Sequence, residues 1–181
     1  MVYMFLANGF EEVEALAPLD LLRRAGIEVT TVGIGGDKIT GSHGITVLAD
    51  VKDKKVKFGK IDMVILPGGM PGTTNLDASK TVHTALDLAT EQDAYIAAIC
   101  AAPMVLGKRG MLKDKDAVSY PGFEEYLTGA KLHERGCKIA VDGKIITARG
   151  MGVAVDFGLA LVEALCGKDK ASELEHAIIA D

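Results

Sequence analysis

The sequence of 181 residues contains no tryptophan, few other aromatic residues and only three cysteines. The cysteines are odd in number and have no paired spacing, which predicts neither a disulfide framework nor a zinc site. Unpaired cysteines are typical of a reducing compartment. We therefore expect a cytoplasmic protein that holds no metal.

Positive charge and long apolar runs are also scarce. The formal net charge is −5 and the basic residues are scattered, so a nucleic-acid groove is not expected. No apolar run approaches the length of a membrane span, and residues 1–6 lack the basic region of a secretory leader. The sequence therefore predicts no membrane segment.

Apolar residues and glycine are abundant. Hydrophobic residues make up 49% of the chain and there are 21 glycines, a composition typical of an α/β protein with tight turns. A chain of this length buries one sizeable core, whereas two halves would each be small. We predict a single domain, 1–181.

The order of the predicted elements favours a parallel sheet. A buried strand at 2–6, a helix at 11–25 and a strand at 27–34 form a βαβ unit, whose crossover is right-handed. Residues 38–48 read as a hairpin or an edge piece outside the main sheet. The remaining predicted elements are strands at 62–66, 95–99 and 117–119, a hairpin at 138–148, and helices at 77–92, 103–108, 153–166 and 168–180.

Cys100 follows the apolar run 95–99 and precedes a helix with Pro103 in its first turn. At such a strand-to-helix elbow, free backbone amides and the helix dipole favour a thiolate, so we expect a lowered pKa for Cys100. The alternative is a buried structural cysteine, because cysteine often behaves as a small hydrophobe.

Glu14 is the second candidate residue. It lies between apolar neighbours on the first helix and shares a face with Pro18, so its carboxyl needs a partner or its pKa rises. Glu11 and Glu12, in contrast, are explained by charge compensation at the helix N-terminus. We interpret His43, in a glycine-rich turn, as a solvated residue.

Several of these features meet at one edge of the predicted sheet. All strands of a parallel sheet end at the same edge, where ligands bind. The segment 8–14, Gly68 with Gly69, Cys100 with Ala101, and Tyr120 each follow a strand. A thiol, a carboxyl and glycine amides that complete an oxyanion hole are thereby brought together.

In order and spacing, these motifs resemble the ThiJ/PfpI superfamily, in the branch of the Parkinson-disease-associated protein deglycase and its bacterial relatives. The resemblance covers essentially the whole chain. It is carried by Gly9-Phe10-Glu11-Glu12-Val13-Glu14, Leu22-Arg23-Arg24-Ala25-Gly26, Leu66-Pro67-Gly68-Gly69, Ala97-Ala98-Ile99-Cys100-Ala101-Ala102-Pro103 and Thr147-Ala148-Arg149-Gly150.

The resemblance implies a flavodoxin-like three-layer α/β sandwich, with a parallel central sheet, helices on both faces and a small hairpin excursion, that forms a homodimer. It assigns the reactive cysteine to Cys100, the partner carboxyl to Glu14, and the oxyanion donors to Gly69 and Ala101. Further predicted pocket residues are Gly68, Tyr120, His43 and Arg149. Family members are described as glutathione-independent glyoxalases, as deglycases of glycated protein or nucleotide, and as oxidative-stress chaperones or sensors.

This chain departs from the family pattern at two positions. Many members carry a histidine where this chain has Tyr120, and an arginine near the partner subunit's site where this chain has His43. Acid–base chemistry then falls to Glu14, with His43 as a helper across the dimer. Ala101 excludes the protease-like branch, which places histidine directly after the cysteine.

These expectations lead to an enzyme that acts on small reactive carbonyls without a cofactor. The Cys100 thiolate attacks an aldehyde, the amides of Gly69 and Ala101 hold the oxyanion, and Glu14 moves the proton. The alternative is a redox sensor or redox-regulated chaperone, in which Cys100 is oxidised to sulfinic acid without turnover. The sequence does not separate the two.

Overall fold

The computed structural model describes residues 1–133 and 136–180. Eleven strands lie in the described residues: β1 Val2–Leu6, β2 Val29–Gly33, β3 Lys38–Thr40, β4 Thr46–Leu48, β5 Val51–Lys52, β6 Met63–Leu66, β7 Tyr95–Ile99, β8 Asp116–Ala117, β9 Lys131–Leu132, β10 Ile139–Asp142 and β11 Ile145–Ala148. Six α-helices lie there too: α1 Glu12–Arg24, α2 Gly72–Asp77, α3 Lys80–Glu91, α4 Pro103–Lys108, α5 Ala154–Cys166 and α6 Lys168–Ala177.

The main sheet has seven strands in the order β10-β11-β7-β6-β1-β2-β5. All neighbours are parallel except β10, which closes one edge antiparallel to β11. β1 is central, since it pairs with β2 on one side and β6 on the other. This is the flavodoxin-like α/β sandwich that the sequence predicts, with one antiparallel edge strand.

Alternate residues of the central strands face two separate cores. Tyr3 and Phe5 pack with α3 and α4 on one face, whereas Met4 and Leu6 pack with α1 and α5 on the other. The strands are therefore buried on both faces, which is typical of a parallel sheet covered by helices. α1 is held firmly, because Gly158 of α5 lets Leu21 and the backbone of α1 approach closely.

The predicted hairpin 38–48 is confirmed as β3 and β4, which form a two-stranded sheet of their own. The predicted helix 77–92 is wrong in its first part. α2 ends at Asp77, and Ser79 caps a new helix, α3, through its hydroxyl. The predicted strand 117–119 is also different, because β8 covers Asp116–Ala117 and pairs with β9 outside the main sheet.

Within residues 1–133 and 136–180, no helix is both long and apolar enough to cross a bilayer.

Candidate active site

Cys100 lies at the elbow between β7 and α4. Its amide donates to the carbonyl of Ala148 at 2.9 Å, and its carbonyl accepts from the amide of Tyr120 at 2.8 Å. These two bonds hold Cys100 at φ 66°, a left-handed conformation that costs a non-glycine residue ~1–3 kcal/mol. The side chain is half-buried. The elbow is therefore a strained, accessible position fixed by its neighbours.

Glu14 brings a carboxyl to this elbow from the first turn of α1. The residue is 1% exposed, and its Oε2 accepts from the Gly68 amide at 3.1 Å. Its side chain interacts directly with the Cys100 thiol. Glu14 Oε1 is buried and makes no regular hydrogen bond to a described residue. One oxygen of the carboxyl therefore has no regular hydrogen bond, although the backbone of Met151 lies close enough to lower the Glu14 pKa.

Gly68 makes this approach possible. A Cβ at Gly68 would lie 2.5 Å from Glu14 Oε2 and 2.6 Å from the Cβ of Cys100, closer than real contacts allow. The next residue, Gly69, has φ 88°. A Cβ at Gly69 would lie 2.3 Å from the backbone nitrogen of Glu11. Both glycines are required because the loop passes directly between α1 and the elbow.

Burial, helped by the negative charge of Glu11, raises the pKa of Glu14 to about 7, against the opposing contributions of Cys100 and of the backbone amides of Gly68 and Met151. The pKa of Cys100 is also raised, to about 12. Burial is the largest cause, and the charge of Glu14 and its hydrogen bond to the thiol act in the same direction. The amides of Gly69 and Ala101 lower the Cys100 pKa.

The lowered Cys100 pKa that the elbow predicts is therefore wrong in direction. The amides of Gly69 and Ala101 lower the pKa, but burial and the Glu14 carboxylate outweigh them. The two groups therefore titrate as a coupled pair, in which burial raises the pKa of both the Glu14 carboxyl and the Cys100 thiol. Such a carboxylate can accept the thiol proton at the moment when the sulfur attacks.

The structure does not bring all predicted pocket residues together. Tyr120 lies at the site, since its ring and Glu14 Oε1 both lie within 4 Å of the position that a Cβ on Gly150 would take. Arg149 instead lines a separate cavity of about 60 Å³ that also contains Cys137 and Ser119.

His43 makes its hydrogen bond to Glu12, not to the Cys100 and Glu14 pair. Its Nδ1 lies 2.9 Å from Glu12 Oε2, and its amide donates to Glu12 Oε1 at 2.8 Å. The ring itself is exposed. Glu11, Glu12 and His43 form the one group of described residues that brings three metal-ligating atoms within 4.8 Å of one another.

Two residues that matter here were not singled out by the sequence reasoning. Glu12 is buried and anchors the β3–β4 turn, a role that no local pattern distinguishes from charge compensation. Gly150 places its backbone against Tyr120 and Glu14. Its position directly after Arg149 in a Gly-x-Gly stretch is the only signal that could have indicated a close approach.

The chain is similar to known proteins over nearly its whole length. Residues 1–164 match the model of the DJ-1/PfpI family. Protein dj-1beta of Drosophila melanogaster is 37% identical over 177 residues, covering 97% of this chain and 95% of that protein. The glutathione-independent glyoxalase DJR-1.2 of Caenorhabditis elegans is 30% identical over 169 residues, covering 91% and 87%.

A solved structure of oxidized DJ-1 from Toxoplasma gondii superposes with a TM-score of 0.93 at 33% identity, and the match covers 98% of this chain and 97% of that one. Family model, relatives and fold all extend over nearly the full chain, including β7, the elbow and the first turn of α1. The chain belongs to the DJ-1/PfpI family.

Proposed function

We propose that the protein is a cysteine-dependent enzyme that converts α-oxoaldehydes such as methylglyoxal into 2-hydroxy acids without a cofactor. The observation that carries the proposal is the buried Glu14 carboxyl, whose pKa is raised to about 7 and which lies against the Cys100 thiol. A general base is most effective when its pKa lies near the working pH. The relative named as a glutathione-independent glyoxalase supports this reaction class.

The first step forms a hemithioacetal. The Cys100 sulfur attacks the aldehyde carbon while its S–H proton passes to the Glu14 carboxylate. The carbonyl oxygen becomes an oxyanion between the amides of Gly69 and Ala101, which already act on the sulfur in the free protein.

The second step is an internal redox reaction. Glu14 first gives the proton that it took from sulfur to the oxyanion, which completes the hemithioacetal and leaves Glu14 a carboxylate again. Glu14 then removes the proton from the former aldehyde carbon and returns it to the neighbouring carbon through an enediol, while the hydroxyl proton of the first carbon passes to the oxygen of the second. The first carbon is thereby oxidised to a thioester and the second is reduced to an alcohol. Water then cleaves the thioester, which releases the 2-hydroxy acid and restores the Cys100 thiol. The electrons balance within the substrate.

The test is the turnover of methylglyoxal by purified variants. Cys100→Ser and Cys100→Ala remove the nucleophile, so lactate formation should fall at least a thousandfold, while Cys166→Ser, at an exposed cysteine, should retain it. Circular dichroism and thermal melting show whether each variant is folded. Lactate formation by a folded Cys100→Ala protein at the wild-type rate would contradict the proposal.

A second candidate function is an oxidative-stress sensor or redox-regulated chaperone. It is favoured by the half-buried Cys100 thiol beside a carboxyl that can hydrogen-bond an oxidised sulfur. Two molecules of hydrogen peroxide would convert the thiol to a sulfinic acid and form two molecules of water. Mass spectrometry after mild peroxide separates the candidates: selective Cys100 oxidation without lactate formation supports the sensor.

We also propose that the glyoxalase-type site can act on glycated protein or nucleotide, because an exposed hemiaminal presents the same carbon to Cys100.

A homodimer is proposed as well, since Val13, Ile45 and Leu48 are exposed apolar residues close to the β3–β4 turn and the start of α1. Sedimentation equilibrium would measure the dimer. A cytoplasmic location stays a prediction and is tested by cell fractionation.

A further inference from the structure

We propose that Tyr120 binds the substituent of the substrate, and that the site therefore prefers α-oxoaldehydes carrying an aryl group over methylglyoxal. The inference rests on the proposed function, because it concerns the same reaction at Cys100. It assigns the second half of the substrate, which the contacts of Cys100, Gly69 and Ala101 do not reach.

Tyr120 is tied to the elbow through its backbone. Its amide donates to the carbonyl of Cys100 at 2.8 Å, so the two residues keep a fixed distance. The ring edge, at Cδ2, lies 3.2 Å from the position that a Cβ on Gly150 would take. Glu14 Oε1 lies 3.7 Å from the same point. The ring and the catalytic carboxyl therefore border the same small space.

Neighbouring residues fix the orientation of the Tyr120 ring but leave about half of the residue exposed to solvent. Phe123 packs against it edge-on, with ring centroids 6.5 Å apart at 75°. The amide of Phe123 also donates to the Tyr120 carbonyl at 3.1 Å. Tyr120 nevertheless remains 49% exposed, and no hydrogen bond or ion pair within the described residues engages its hydroxyl. An ordered aromatic surface beside the nucleophile is therefore open to a ligand.

The chemistry of the reaction directs the substituent toward this ring. The first carbon is fixed by its bond to sulfur, and its oxygen by the amides of Gly69 and Ala101. The hydroxyl that develops on the second carbon requires an acceptor, and Glu14 Oε1 is buried without a regular partner. The remaining group on the second carbon then extends along Gly150 toward Tyr120.

The size of the substituent on the second carbon decides how much binding free energy it gains from the Tyr120 ring. A methyl group offers little area to a tyrosine ring, whereas a phenyl group can stack on it or meet it edge-on. Aromatic pairs contribute ~0.5–1.5 kcal/mol beyond their buried area, which corresponds to roughly two- to tenfold in kcat/KM.

The first experiment measures kcat/KM for phenylglyoxal and for methylglyoxal, following mandelate and lactate. The ratio of the two should fall roughly threefold or more in Tyr120→Ala and stay unchanged in Tyr120→Phe, because the ring and not the hydroxyl makes the contact. Val141→Ala, which removes another exposed apolar side chain on β10, is the matched control. Thermal melting confirms that the variants are folded.

The second experiment does not need turnover. Phenacyl bromide and bromoacetone each alkylate a thiol by forming an S–C bond as bromide leaves and the thiol proton is lost. The rates at Cys100 are measured by mass spectrometry, and the ratio of the two reagents is compared between wild type and Tyr120→Ala. Comparing ratios cancels the intrinsic reactivity of each reagent.

The outcomes separate the two claims. If no oxoaldehyde is turned over but the alkylation ratio still falls in Tyr120→Ala, the proposed reaction fails while aryl binding by Tyr120 stands. If turnover is found and both ratios are unchanged in Tyr120→Ala, the reaction stands and this inference fails. An equal fall in Tyr120→Phe also overturns it, since the hydroxyl would then make the contact.

Discussion

Glu12 and Glu14 lie two residues apart in the first turn of α1 and are 3% and 1% exposed, yet their carboxyls behave in opposite ways. For Glu12, burial alone would raise the pKa, but hydrogen bonds from His43 and from backbone amides lower it to about 2. For Glu14, burial dominates and raises the pKa to about 7. The difference follows from how deeply each carboxyl lies below the surface and from which groups donate to it or oppose its charge, and not from the exposed fraction of the residue alone.

The two carboxyls therefore have different tasks. Glu12 accepts from the amides of His43 and Ile45 and from the His43 ring, so its charge holds the β3–β4 turn on α1. Glu14 accepts one regular hydrogen bond, from the Gly68 amide, and its Oε1 has no regular partner among the described residues, although the backbone of Met151 also lowers its pKa. An under-satisfied carboxyl beside a thiol is suited to proton transfer, whereas a fully satisfied one is suited to structure.

The largest expected effect is that of Glu14→Gln, which exchanges the Glu14 carboxyl for an amide. Glu14→Gln keeps the shape but cannot accept the Cys100 proton, so kcat/KM for methylglyoxal should fall by ~10²–10⁴. Glu12→Gln is the matched control, because it removes a buried carboxylate from the same helix turn that does not contact the sulfur. Equal losses in both variants would show that the comparison reflects helix packing alone.

A second variant acts on the donor to Glu14. Gly68→Ala would place a Cβ 2.5 Å from Glu14 Oε2 and 2.8 Å from the Ile99 carbonyl, so the loop must shift and the pair must separate. We expect kcat/KM to fall more than tenfold and the free energy of unfolding to drop by ~1–3 kcal/mol, measured by urea denaturation. Gly59→Ala, where a Cβ meets no atom within 4 Å, should change neither.

The pH dependence of stability should have opposite signs for the two residues. Because the pKa of Glu14 is raised in the folded protein, its contribution to stability is fully present below pH 4.5, the pKa in the unfolded chain. This contribution is lost as the pH rises toward 7. The free energy of unfolding of Glu14→Gln minus that of wild type should thus increase by ~2–3 kcal/mol between pH 5 and pH 8, measured by urea denaturation at each pH.

For Glu12, the lowered pKa makes the contribution fully present above 4.5 and lost as pH falls toward 2. Glu12→Gln should therefore be less stable than wild type at pH 7, and the difference should shrink below pH 4.5. If both variants show the same slope with pH, the assignment of opposite charge states to the two carboxyls is wrong.

The smallest expected effect is that of His43→Ala. The hydrogen bond and charge of Glu12 raise the pKa of His43, so the imidazolium stabilises the turn below pH 6.5 and this contribution is lost as pH rises through the raised value. Because the ring is exposed and the His43 amide still donates to Glu12, the melting temperature should fall only slightly at pH 5.5 and not at pH 9.

Much of the fold could be predicted from local patterns. The strands 2–6 and 95–99, the β3–β4 hairpin and the Asp142-Gly143 turn between β10 and β11 have strong signals, because hydrophobic runs and turn residues act over a few positions. The break at Ser79 was missed because its capping hydroxyl interrupts an otherwise helical pattern.

The candidate site was predictable only where topology decided it. Parallel strands end at one edge, so the sequence places Cys100, Gly68 and the start of α1 together. Tyr120 reaches the site differently, through its bond to the Cys100 carbonyl, because β8 lies outside the main sheet. Arg149 follows β11 directly, yet its side chain lines another cavity, which strand order does not reveal.

The sequence by itself determined the sheet, the elbow at Cys100 and the carboxyl of Glu14 near it, because periodicity and strand order follow from neighbouring residues. Only the tertiary structure decided the charge of each group. The pKa values of Glu12, Glu14 and Cys100 depend on burial and on donors from β3–β4, Gly68 and Ala101, which are distant in sequence or set by the exact packing of α1. Electrostatic free energies depend on distances of a few ångströms, which only the folded chain fixes.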